Sequence, residues 1–273
     1  MKRLLHPLWT AIFGFLLLCA SPVQAADDTD IPEPLIHPHL HFGTDATYPP
    51  LVSLDNARQV SGFETELLKT LCHNLHWACT FSHEEWDNLV PALRSGKIDA
   101  MYGGIAITQT RQEQFLFTIP LIDESLAGIV SQGDAILPFT EEGLKGKKIG
   151  VQTGSTFANY LNDQFKDVQV KRYVSIQDAL LDLTAKRIDA VFGDTPVLRH
   201  FRRSLPAEKQ AQYTVTGIDL NPENLSILGL GYGVAFNKNP EAEEWVKALN
   251  TQLQKFQDQP EYDALKIKFG INQ

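Results

Sequence analysis

Cysteine is scarce: three occur in 273 residues, and one of them, Cys19, lies in an apolar stretch at the N-terminus. So few thiols exclude a disulfide-dense scaffold and a four-cysteine metal site. Basic charge is also short, with 24 Lys and Arg against 33 Asp and Glu. No basic patch of the kind that grips nucleic acid stands out, and an acidic surface repels anionic lipid and polyanions. Catalytic signatures are missing as well. There is no GxSxG or HExxH run, and the glycine turn at 153–155 lacks the lysine and spacing of a phosphate-binding loop.

What is present first sets the compartment. Lys2 and Arg3 form a short basic region, residues 8–20 an apolar one, and Val23-Gln24-Ala25 the small residues of a cleavage site. The apolar run is too short, and too soon followed by Pro22, for a membrane span. A signal peptide over 1–25 is therefore expected, with 248 residues exported to the periplasm. A lipid anchor on Cys19 is disfavoured because Leu18 stands where a small residue is needed. Loss of Lys2 and Arg3 leaves 22 basic against 33 acidic residues, a net charge of −11. Cys72 and Cys79 then remain, seven positions apart. In an oxidising compartment they read as a local disulfide from a helix end to the next strand, the alternative being two buried thiols.

Hydrophobic residues make up 43% of the chain, enough for two small domains with cores of their own. Strand-like runs at 40–43, 79–81, 98–102, 148–151, 168–173 and 188–192 alternate with helical patterns at 64–75, 87–94, 157–165 and 176–186. Such alternation predicts α/β architecture with open, mostly parallel sheets. The segment Trp86 to Gly104 also aligns without gaps on Ile176 to Asp194, an offset of 90 residues, and both carry Ile-Asp-Ala, two apolar residues and Gly. A single offset of domain size implies two similar lobes.

Ligands of open α/β sheets sit beyond the carboxyl ends of the strands. The repeat thus nominates Gly103 and Gly104 from one lobe, and Gly193 and Asp194 from the other. Arg111 follows the first pair at a helix start, where guanidinium and free N–H groups make a carboxylate receptor. A solvated arginine paired with Glu113 is the plainer reading of the residue alone, and its position just past a cleft-lining strand end reverses that preference. Asp194 suits an ammonium group, or equally a helix N-cap before Thr195-Pro196. Gln152 to Thr156 forms a hydroxyl-rich turn between a strand and a helix, a second carboxylate cradle. Asp45 and Tyr48, after the first strand, offer a carboxylate and an aromatic face to a cationic or planar side chain, or simply belong to a proline-stiffened loop; Trp86 is either a stacking wall or core. His37, His39 and His41 alternate, but with Leu40 and Phe42 taking the buried face they read as a solvated edge, not a metal site.

With those residues in view, the chain resembles the periplasmic polar-amino-acid-binding proteins of ABC importers, bacterial extracellular solute-binding family 3, most of all the arginine- and lysine/arginine/ornithine/histidine-binding type. The likeness rests on residues 43–50 (GTDATYPP), 62–67 (GFETEL), 71–81 (LCHNLHWACTF), 98–100, 107–111 (ITQTR), 144–151 (LKGKKIGV), 187–195 (RIDAVFGDT) and 229–233 (GLGYG). It implies a two-lobed type II periplasmic-binding-protein fold with the ligand between the lobes. Lobe 1 would take 26–125 and 231–273, lobe 2 would take 126–230, and crossing strands would lie near 126–130 and 229–234. Arg111 is then the carboxylate clamp helped by Thr156, and Asp194 the α-ammonium partner with groups around Gly104 and Ala106. Asp45 would meet a cationic side chain, walled by Tyr48 and Trp86. Gly103, Gly104 and Ala106 stand where some relatives carry serine, and Phe157 where several carry a polar residue. The implied function is capture of arginine, then lysine, ornithine or histidine, for an inner-membrane ABC permease, by a monomer without cofactor or catalytic residue. The alternative is a secreted cyclohexadienyl dehydratase on the same fold, with Glu84 or Glu85 as its acid. A receptor sensor module is disfavoured, since neither a membrane helix nor an output domain follows Gln273.

Overall fold

Alternation decides the first strand, β1 (His39–Thr44): Leu40 and Phe42 are buried, His39 is exposed, and His41 is half-buried with Nε2 sharing a 2.8 Å hydrogen bond with Ser82. The computed structural model describes residues 38–122, 127–133, 136–218 and 221–271. The expected signal segment with Cys19, and also His37, Leu126 and Gln273, lie outside the described residues. Among the described residues no helix is long and apolar enough to cross a membrane.

After β1 come a small antiparallel ribbon, β2 (Thr47–Tyr48), β3 (Val52–Leu54) and β4 (Val60–Ser61), then β5 (Ala78–His83), β6 (Ala100–Met101) and β7 (Phe115–Phe117). The second sheet is built from β8 (Ala127–Gln132), β9 (Lys148–Gln152), β10 (Gln169–Tyr173), β11 (Ala190–Asp194) and β12 (Tyr213–Gly217), before β13 (Ala235–Asn237) returns to the first. Among the described residues the first sheet runs β5-β1-β6-β13-β7 and the second β10-β9-β11-β8-β12. In each, four strands point one way and the fourth in order, β13 or β8, is reversed. The two sheets thus share one plan, the two-lobed type II architecture that the repeat and the resemblance imply.

The repeated Ile-Asp-Ala has the same task in both lobes. Asp99 takes the His41 N–H on its carboxylate at 2.7 Å and returns its own N–H to the His41 carbonyl. Asp189 makes the same pair with Lys148, again at 2.7 Å. Each aspartate pins the start of the central strand to its neighbour, and because it occupies the turn, β6 is shorter than the 98–102 expected. Above each aspartate an isoleucine, Ile98 or Ile188, lies over a glycine, Gly43 or Gly150, where an added Cβ would come within 2.6 Å of its Cδ1. The turn before each aspartate needs a left-handed residue, Gly96 in lobe 1 (φ 73°) and Lys186 in lobe 2 (φ 58°). Lys186 therefore ends the Ile176–Thr184 helix two residues before the sequence pattern does.

The Phe63–Asn74 helix turns Phe63, Leu67, Leu68 and Leu71 into the first core, at a spacing that keeps them on one face. Its last turn carries Cys72, bridged to Cys79 on β5 with Cα atoms 6.2 Å apart. Closing a loop this short removes chain entropy worth about 2.5 kcal/mol. Replacing both cysteines with alanine should therefore lower the urea-unfolding free energy by roughly 2 kcal/mol, and the intact exported protein should show no alkylatable thiol. Two freely alkylated thiols in non-reduced protein would refute the bridge.

Candidate functional site

Four strand ends meet at one cleft between the sheets. Asp45 follows β1, Gly103 and Gly104 follow β6, Gln152 ends β9, and Asp194 ends β11. Tyr48, Trp86, Ala106, Arg111 and Thr156 complete the ten residues nominated from sequence, and Ser155 and Phe157 join them around the same cleft. Gly193 is not among the residues around it, and a Cβ added there would meet Ile176 Cδ1 at 3.3 Å. The cavity left is only about 20 Å³, because the lobes already touch. Gln152 donates from lobe 2 to Asp45 at 3.1 Å, and the Trp86 indole stands against Gly154, where an added Cβ would be 3.2 Å from Nε1.

Opposite charges define the two walls. Arg111 sits in a short helix (Gln109–Gln114) capped by Thr108, with Nη1 donating to the Ala106 carbonyl at 3.1 Å and its guanidinium 5.8 Å from the Trp86 ring centre. Burial lowers its pKa to about 10, with Asp194 acting against the shift, so it stays a cation at neutral pH. The solvated pairing with Glu113 is not what this side chain makes. Asp194, 3% exposed, accepts the hydroxyls of Tyr48 on Oδ2 and Tyr232 on Oδ1. It stands at the N-cap of the Thr195–Ser204 helix but makes no side-chain cap bond, since both oxygens are taken elsewhere. Burial raises its pKa to about 6, against the pull of the two phenols and Arg111.

Asp45 is held from both lobes. Oδ1 accepts the Thr47 N–H and hydroxyl at 3.2 and 2.8 Å, and Oδ2 accepts Gln152. Burial pushes its pKa up, and those three bonds pull it down. The turn at 152–156 is stiffened by Ser155, whose hydroxyl donates to the Gln152 carbonyl at 2.7 Å and accepts the Ala158 N–H at the helix start. Phe157 packs edge-on against Phe192, 4.8 Å between ring centres, which explains an apolar residue there. Glu84 pairs with Lys97 at 2.7 Å, Glu85 lies 3.7 Å from His83, and neither lines the cleft.

Two supporting residues escaped the sequence reading. Glu64 is wholly buried behind the Gly103–Gly104 turn and accepts both glycine N–H groups, each at 2.9 Å, one per carboxylate oxygen. Both glycines are left-handed, φ 103° and 69°, and Gly104 lies against the Tyr48 ring. In the sequence Glu64 and Tyr232 stand out only as members of the 62–67 and 229–233 motifs. No local pattern marks either residue, because each meets its partner across about 40 positions of chain.

Residues 40–272 match the bacterial extracellular solute-binding proteins, family 3. The chain belongs to this family. It is 35% identical over 231 residues to a putative ABC transporter arginine-binding protein 2 of Escherichia coli, covering 84% of this chain and 90% of that one. It is 32% identical to the histidine-binding periplasmic protein of the same species, covering 93% and 96%. A periplasmic binding protein of Salmonella typhimurium with high arginine specificity superposes at a TM-score of 0.73, with 30% identity and coverage of 84% and 98%. An ancestral amino-acid-binding protein, a precursor of cyclohexadienyl dehydratase, does so at 0.70, with 26% identity and coverage of 84% and 94%. The family and these relatives are binding proteins.

Glu64 gives the folded protein a distinct pH signature. Burial raises its pKa from 4.5 to about 7, opposed by the two glycine N–H groups and reinforced by Asp194. The folded state therefore holds a proton that the unfolded chain gives up, and this contribution to stability is lost as pH rises from 4.5 through about 7. Urea unfolding of ligand-free protein should show that decline, and Glu64→Gln should flatten it. The variant should also cost about 1–3 kcal/mol, because one glycine N–H loses its acceptor. An unchanged pH slope in the variant would contradict the assignment.

Proposed function

We propose that this protein captures a free L-amino acid in the periplasm, arginine first and lysine, ornithine or histidine next, and delivers it to an inner-membrane ABC permease. The single observation carrying this is the facing of Arg111 and Asp194 across one closed cleft, a cation and an anion set for the two ends of a zwitterion. Arg111, with the Ser155–Thr156 turn, takes the carboxylate; Asp194 takes the ammonium, beside the backbone of Gly104 and Ala106. Asp45 lies further along the same cleft and supplies the negative charge for a guanidinium or amine, with Tyr48 and Trp86 as flanking aromatic faces. The names of the arginine- and histidine-binding relatives support the ligand class. The proposed lobes are 26–125 with 231–273, and 126–230, in an exported monomer that performs no chemistry.

Discrimination among amino acids is a difference of affinities and must arise at the side chain, since every ligand shares the α-groups. Arg111→Ala should thus weaken arginine and any neutral ligand alike, by about 2–5 kcal/mol, roughly 30- to several-thousand-fold. Asp45→Asn, which keeps the shape and removes the charge, should weaken arginine by about 2 kcal/mol and glutamine far less. Titration calorimetry of both ligands on both variants checks this. Equal losses for arginine and glutamine in Asp45→Asn would place the cation elsewhere, and turnover of prephenate by the wild type would replace binding with dehydratase chemistry.

A further inference from the structure

Tyr232 sits where the chain leaves the Pro222–Leu228 helix of the second lobe and heads for β13 of the first. Its backbone is bridged to Ala106 and Ile122, its carbonyl accepts the Leu121 N–H at 2.7 Å, and its side chain is buried. The backbone is therefore tied into the first lobe while the hydroxyl ends on Asp194 of the second. The other phenol on that carboxylate, Tyr48, lines the cleft; Tyr232 does not. One oxygen of Asp194 thus has its donor on the ligand side, where an arriving ammonium can share or replace it. The other has its donor on the sheltered side, which no ligand in the cleft reaches.

We propose that Tyr232 is a positioning residue for the α-ammonium subsite, its hydroxyl holding the Asp194 carboxylate in the orientation that presents Oδ2 to the ligand. This rests on the reading of Asp194 as the ammonium partner. An ammonium is bound well by a carboxylate and poorly by a carboxylic acid, so what keeps Asp194 ionised also sets affinity. The groups facing it are the Tyr48 and Tyr232 phenols, the Arg111 guanidinium and the buried Glu64 carboxyl. Burial lifts its pKa to about 6, and the Tyr232 bond heads the influences that pull it back, ahead of Tyr48 and Arg111. Removing that bond moves ionisation of Asp194 to higher pH, and affinity should follow.

The test is titration calorimetry of arginine at pH 6, 7 and 8 on wild type, Tyr232→Phe and Asp194→Asn, with thermal melts confirming that each is folded. Phenylalanine keeps the ring and its packing and removes only the hydroxyl. Relative to wild type, Tyr232→Phe should bind more weakly at every pH, about twofold at pH 8, where only the orientation is lost, and roughly tenfold at pH 6, where Asp194 is also more protonated, with the same pattern for glutamine, because the α-group is common to both. A loss of equal size at every pH would mark a purely structural role and overturn the proposal, as would wild-type affinity throughout. If Asp194→Asn abolishes binding while Tyr232→Phe binds normally, the ammonium reading stands and this inference alone fails. Wild-type binding by Asp194→Asn would overturn both.

Discussion

A carboxylate taken out of water has to be surrounded by donors, and Asp194 is such a group at the centre of the molecule. Its partners come from every part of the fold that surrounds the cleft: Tyr48 from the ribbon after β1, Tyr232 from the segment returning to the first lobe, and Arg111 across the cleft. All three partners belong to the opposite lobe, so satisfying the charge and bringing the lobes together go hand in hand. A second carboxylate repeats the logic at lower depth. Asp45 takes two bonds from its own loop and one from Gln152 of the other lobe. The cleft is therefore closed by groups of the kind a zwitterion would use, and in the proposed reading a ligand's ammonium and cationic side chain take the place of these protein donors.

Behind the cleft the two lobes solve the same local problem in the same way. Each central strand starts from an Ile-Asp-Ala aspartate, and its parallel neighbour carries a glycine under the preceding isoleucine. The lobes part company where ligand chemistry begins. In the first, β6 ends in two left-handed glycines braced by Glu64; in the second, β11 ends in Gly193 and the carboxylate of Asp194. The backbone plan is shared, and at the repeated strand end a cleft-facing carboxylate stands in the second lobe only.

This contrast explains what could be read from the residues. Strand and helix order, the two-lobe plan and the meeting of Asp45, Gly104, Arg111 and Asp194 follow from periodicity, the repeat and the rule that strand ends face the site. Helix ends were read less well: Lys186 adopts the left-handed turn that glycine takes at position 96, and nothing in the lysine announces it. Glu64 and Tyr232 lay beyond reach for a different reason. Their partners, Gly103 with Gly104 and Asp194, are distant in sequence, and a buried acid near a helix start looks the same as a solvated one until the packing is known. Asp194 was open between helix cap and ligand partner, and the two phenols decide against the cap.

The central claim is that the cleft recognises a free amino acid by its charged ends and prefers a cationic side chain. The most direct measurement is titration calorimetry of ligand-stripped protein against the twenty amino acids and ornithine. The account predicts saturable one-to-one binding, with arginine strongest, lysine, ornithine and histidine following, and glutamate and aspartate weakest because Asp45 repels them. No binding by any amino acid, or tightest binding by an acidic one, would contradict it.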